Sequence, residues 1–91
     1  MLIISGGKGT GKTKALLEKA KAENGVVVCE NESVMRQRAY DYGITGLEII
    51  SYDTFCPCEL YISDEPVYIH DINKYLNFCC SNVKGYTVNL D

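Results

Sequence analysis

The run Ser5-Gly6-Gly7-Lys8-Gly9-Thr10-Gly11-Lys12-Thr13 carries the residue types that can wrap a backbone around phosphate oxygens. Its pattern is Gly6, four residues, then Gly11-Lys12-Thr13. Backbone N–H groups converge on an anion only if the chain passes through conformations that glycine adopts at little steric cost. Gly6, Gly7, Gly9 and Gly11 supply them. A helix beginning at Lys12 would turn its free N–H groups and its positive dipole end toward the same anion. In that arrangement Lys12 reaches the β- and γ-phosphates and the Thr13 hydroxyl ligates Mg²⁺. Lys8 and Thr10 fill intervening positions, with Lys8 on the exposed side. Residues 6–13 together are the expected phosphate cradle.

A second constellation is Leu60-Tyr61-Ile62-Ser63-Asp64-Glu65, an apolar run ending in two carboxylates. Asp64 is expected to hold Mg²⁺, through water, because that ion keeps much of its hydration shell. Glu65 is expected to orient or deprotonate an attacking water. Successive side chains at a strand end point in opposite directions, so the two acids can serve different roles. Arg36 and Arg38 fall on a predicted helix and read as a solvated face, the alternative being a role in trans within an oligomer. His70 reads as a capping or surface residue.

These residues need elements to position them. Residues 2–5 read as strand one and 12–22 as helix A, with Leu16, Leu17 and Ala20 inward. Asn24-Gly25 closes that helix as a glycine cap. Val26-Val27-Val28-Cys29-Glu30 is a β-branched run suited to a strand buried on both faces. Asn31 or Ser33 can cap helix B, along which Met35, Ala39 and Tyr42 recur, and Gly43 ends it. Residues 47–52, 60–63 and 86–90 read as strands three, four and five, and 70–81 as helix C. Gly85 is expected to end the connection before strand five. Strands alternating with helices predict one α/β domain over residues 1–91. Its form would be three layers: a five-stranded, mainly parallel sheet with helices on both faces.

Ninety-one residues leave room for a lean core only. The net charge of −3 and the absence of a basic run weaken the case for nucleic acid as a partner. No apolar run approaches membrane-spanning length. Leu2-Ile3-Ile4 is too short for a secretory signal. Five cysteines, an odd count, then point to free thiols in the reducing cytoplasm. Cys56-Pro57-Cys58 and Cys79-Cys80 could supply four thiolates to zinc but lack the usual ligand spacing. The competing expectation puts Cys29 on a buried strand and one of Cys79 and Cys80 against the core, as small hydrophobes.

Taken together, the motifs resemble P-loop NTPases of the additional-strand, catalytic-glutamate type, with residues 6–13 as Walker A and 60–65 as Walker B. The segment from Ile62-Ser63-Asp64-Glu65 to Gly85-Tyr86-Thr87-Val88-Asn89-Leu90-Asp91 is similar to type II thymidine kinases. Those have an apolar strand ending in Asp-Glu, a helix, then a Gly-led strand. Cys29-Glu30-Asn31-Glu32-Ser33-Val34-Met35-Arg36-Gln37-Arg38 and Ser51-Tyr52-Asp53-Thr54-Phe55 are similar to superfamily 1 helicase segments that touch single-stranded DNA. The resemblance implies ATP and Mg²⁺ as ligands and strand five inserted between strands one and four. Asn89 would then face the γ-phosphate as a polar sensor. It further implies weak or partner-dependent ATP hydrolysis, with a homo-oligomer or a larger protein machine as the partner. The alternatives are a non-catalytic nucleotide-dependent interaction module and a nucleoside-kinase-like protein lacking its substrate lasso.

Overall fold

Val26-Val27-Val28-Cys29 is an uninterrupted apolar run, and none of its side chains is exposed. A strand of that kind needs neighbours on both edges and cover on both faces. The computed structural model, which describes residues 2–7, 9, 11–53, 66–74 and 83–90, provides both edges. In chain order the elements are β1 (Leu2–Gly6), α1 (Lys12–Ala22), β2 (Val26–Cys29), α2 (Glu32–Asp41) and β3 (Glu48–Ser51). They continue with β4 (Val67–Ile69), a 3₁₀ turn (Ile72–Lys74) and β5 (Val83–Asn89). The five strands form one sheet in the order β1-β5-β4-β2-β3, and every adjacent pair is parallel. The fold is therefore α/β, and β5 lies between β1 and β4.

Alternation along the strands divides the core in two. Val27, Cys29, Ile49 and Tyr68 point to one face, where Leu16, Leu17 and Ala20 of α1 and Met35 and Ala39 of α2 cover them. Val26, Val28, Val67, Ile69 and Val83 point to the other, against Ile72 and Tyr86. Both described helices thus share one face; the expectation of helices on both faces turns on the third helix. The third helix was expected over residues 70–81, of which 75–81 lie outside the described residues. Its expected start is not helical. His70 donates its backbone N–H to the Val28 carbonyl at 2.8 Å, extending the ladder. Asp71 has φ 59°, a left-handed value that a right-handed helix cannot contain.

The expected strand at 60–63 also lies outside the described residues. The strand beside β5 is Val67–Ile69, a segment between the expected strand at 60–63 and the expected helix at 70–81 and assigned to neither. Pro66 precedes it, a position where the missing N–H costs no ladder bond, and its carbonyl accepts from Val26 N at 2.9 Å.

Two glycines differ from their expected roles for one reason, the Tyr68 ring. Gly25 does not cap α1. Asn24 takes the left-handed position, φ 55°. Asn24 N bonds to Lys21 O and Gly25 N to Ala20 O, the paired bonds of a Schellman motif. Gly25 is required instead because a Cβ there would lie 2.7 Å from the Pro66 carbonyl oxygen and 2.9 Å from Tyr68 Cε2. Gly85 does not end a connection but lies within β5, where a Cβ would meet the Leu2 carbonyl oxygen and Tyr68 Cδ1, each at 3.0 Å. Helix α2 closes as its sequence predicts. Asn31 Oδ1 accepts from Val34 N at 3.2 Å, and Gly43 at φ 77° completes a second Schellman pair. No described helix is long and apolar enough to cross a membrane.

Candidate phosphate-binding site

The glycine-rich loop joins β1 to α1. Gly6, Gly9 and Gly11 have φ of 152°, 81° and 79°. A Cβ at Gly9 or Gly11 would meet nothing within 4 Å, so the backbone angle, not crowding, demands glycine there. Gly11 is the N-cap of α1 and, as a glycine, brings no side-chain cap of its own. Its first N–H groups therefore suit an external acceptor. Lys8 and Thr10 lie outside the described residues.

Lys12 Nζ donates to the Gly7 carbonyl at 2.6 Å, folding the side chain back over the loop. Thr13 Oγ1 is 2.9 Å from His70 Nε2 and accepts from Arg38 Nη1 at 3.3 Å. Burial, more than any neighbouring charge, holds the His70 imidazole below its usual value of 6.5, so it is neutral at pH 7. The Asp71 carboxylate beside it opposes that shift.

The corner carrying His70 and Asp71 is fixed from three sides. The Tyr52 hydroxyl, presented just beyond β3, donates to the carbonyls of His70 and Asp71, the latter at 3.0 Å. Asp71 N donates to Thr87 Oγ1 at 2.6 Å, and Thr87 is buried in β5. At the end of β5, Asn89 N donates to Asn73 Oδ1 at 2.9 Å. With its backbone so held, Asp71 keeps one carboxylate oxygen, Oδ2, 3.9 Å from Lys74 Nζ. The other, Oδ1, is buried without a hydrogen-bond partner. A buried carboxylate oxygen left unmatched is costly unless a cation or donor arrives.

One cavity of about 540 Å³ lies between the loop and this corner, and its walls include Gly11, Lys12, Thr13, Arg38, Asp71 and Asn89. The expected Gly9, Gly11, Lys12, Thr13 and Asn89 are thus brought together. Gly6 and Gly7 shape the loop behind them. Asp64 and Glu65 lie outside the described residues, as do Cys56, Cys58, Cys79 and Cys80. Arg38, His70, Asp71 and Thr87 line the cavity without having been singled out for it. The available signal was Val67-Tyr68-Ile69-His70-Asp71, itself an apolar run ending in an acid. Compared with models of known protein families, with curated proteins and with solved structures, the chain matches none of them.

Proposed function

We propose that this chain is a P-loop nucleotide-binding domain of the additional-strand type. It takes Mg²⁺ with a nucleoside triphosphate, ATP in the first instance, and hydrolyses it slowly or only with a partner. One observation carries the reading. The start of α1, Lys12 and Thr13 line the same cavity as Asp71, a residue that keeps one buried carboxylate oxygen without a hydrogen-bond partner. The first three suit phosphate, and the fourth suits a hard cation. The strand order supports it too, since β5 between β1 and β4 sets Asn89 at the cavity.

Thr13 and Asp71 are the residues that would hold Mg²⁺. Among the described residues no group of three or more His, Cys, Asp or Glu side chains converges. Phosphate oxygens and water would complete the shell, which is the habit of this ion at nucleotide sites. The ion would neutralise charge on the γ-phosphate. The chain's own contribution is positional. Backbone N–H groups and Lys12 hold the phosphates, His70 and Thr87 hold Thr13 and Asp71 in place, and Asn89 contacts the terminal phosphate. Asp71 is the only carboxylate lining the cavity among the described residues. Glu65 therefore keeps its sequence-based assignment as the group that orients water.

Isothermal titration with Mg-ATP, Mg-GTP and Mg-ADP tests the reading, with Lys12→Ala as the control. Loss of one charge-assisted contact should weaken binding roughly tenfold to a hundredfold. Unchanged affinity in Lys12→Ala would reject it. Phosphate release then separates an ATPase from a module that binds without turnover.

A further inference from the structure

Among the described residues, two cations face the cavity resting on neutral oxygens. Lys12 rests on the Gly7 carbonyl, and Arg38 rests on the Thr13 hydroxyl. Lys74, which also lines the cavity, is by contrast neutralised by Glu30 at 3.0 Å. Among the described residues no carboxylate pairs with Arg38. Its neighbour on the same helix behaves otherwise: Arg36 donates to the Ile49 carbonyl at 3.1 Å and pairs with Glu32 at 3.6 Å. Arg36 ties α2 to β3, whereas Arg38 crosses from α2 to the first turn of α1.

The placement of Arg38 is set by the fold. Met35 and Ala39 bury one stripe of α2 against the sheet, and Asn31 and Gly43 fix its two ends. Arg38, adjacent to Ala39, is thereby held at the cavity rim. A guanidinium is a planar fork suited to two phosphate oxygens, and a single hydroxyl at 3.3 Å leaves most of its donors unused.

The geometry points to Arg38 as the residue that reads the terminal phosphate, in cis, from the chain's own second helix. This rests on the nucleotide-binding reading above and adds to it a specificity: triphosphate over diphosphate, with no arginine needed from another subunit. In the structure Arg38 rests on Thr13. When Thr13 turns its oxygen to a metal, Arg38 loses that acceptor. The terminal phosphate oxygens beside Thr13 then replace it.

The test measures Mg-ATP and Mg-ADP affinities by titration calorimetry for the wild type, Arg38→Ala, Arg38→Lys and Lys12→Ala. Lys19→Ala, at the far end of α1, controls for loss of charge. Arg38→Ala should weaken Mg-ATP roughly tenfold or more and leave Mg-ADP within about twofold. Arg38→Lys should recover only part, since an ammonium lacks the fork. Equal losses for both nucleotides, or no loss beyond that of Lys19→Ala, overturn the assignment. A fall in Lys12→Ala alongside an unaffected Arg38→Ala rejects Arg38 and leaves the phosphate site standing. No fall in Lys12→Ala rejects the site itself. Mixing Arg38→Ala with Lys12→Ala should restore no Mg-ATP binding. Restoration would mean that Arg38 serves a neighbouring chain, against the assignment in cis.

Discussion

Thr13 and His70, 57 positions apart, meet with Oγ1 2.9 Å from Nε2, which ties the first turn of α1 to the end of β4. The contact joins the phosphate loop to the acid corner, so the two halves of the site are set relative to each other before any ligand arrives. Thr13→Val removes the hydroxyl while keeping the shape, and Thr13→Ser keeps it. Mg-ATP affinity should fall roughly tenfold in Thr13→Val and little in Thr13→Ser. With the metal chelated, the three proteins should bind ATP alike. A difference that persists without Mg²⁺ would mean that Thr13 serves the phosphates directly.

Asp71 and Asp64 are rival candidates for the proposed metal, one drawn from the structure and one from the sequence. Asn tolerates the left-handed backbone that Asp71 adopts, so Asp71→Asn changes charge without forcing a new turn. Mg²⁺ titrations at fixed ATP should show Asp71→Asn needing about tenfold more metal, and Asp64→Asn close to wild type. The reverse ranking returns the metal to Asp64.

Gly25→Ala is expected to destabilise the fold without touching the site. The added methyl would lie 2.7 Å from the Pro66 carbonyl oxygen, a backbone atom that moves only with β4. The cost should be about 1–3 kcal/mol, read as a lower urea midpoint at unchanged slope. A midpoint equal to wild type would show that β4 shifts freely.

Alkaline pH should also weaken the fold. Burial pushes the Cys29 thiol up to about 11 from its ordinary value near 9, and Glu32 adds to the shift. Burial raises the Tyr52 hydroxyl as well, followed by the Asp71 charge. In both cases the folded state resists an ionisation that the unfolded chain undergoes. The stability they contribute is whole below pH 9 and drains away as pH climbs toward 11 and beyond. For Cys29 the loss is of the order of 2–3 kcal/mol. Urea titrations at pH 8, 9.5 and 10.5 should show the decline, and Cys29→Ala should flatten part of it. A Cys29→Ala curve parallel to wild type would place the sensitivity elsewhere.

The glycine-rich turn between β1 and α1 was legible because its glycines answer to backbone angles, a local demand that sequence spacing records directly. Helix α1 was legible for the same kind of reason: Leu16, Leu17 and Ala20 repeat at helical spacing, and the observed bounds match the expected ones. The central burial of β2 followed from its β-branched run. The acid corner was harder to read. Two apolar runs ending in acids follow one another, 60–65 and 67–71, and only strand pairing distinguishes them. Gly25 and Gly85 read as helix and loop punctuation because the Tyr68 ring that excludes a Cβ at each is remote in sequence. Arg38 read as a solvated residue because its partner, Thr13, lies on another helix.

The position of β5 has a consequence for how the chain acquires its shape. Among the described strands β1 pairs only with β5, through registers such as Leu2 with Gly85, and it is β5 that joins it to the parallel trio of β4, β2 and β3. Until β5 inserts, the strand bearing the phosphate loop has no partner in that trio. Closing so long a loop precedes any reward from the contact, so this pairing carries an entropic cost that local contacts do not. The candidate site should therefore assemble late, in the same step that unites the two parts of the sheet.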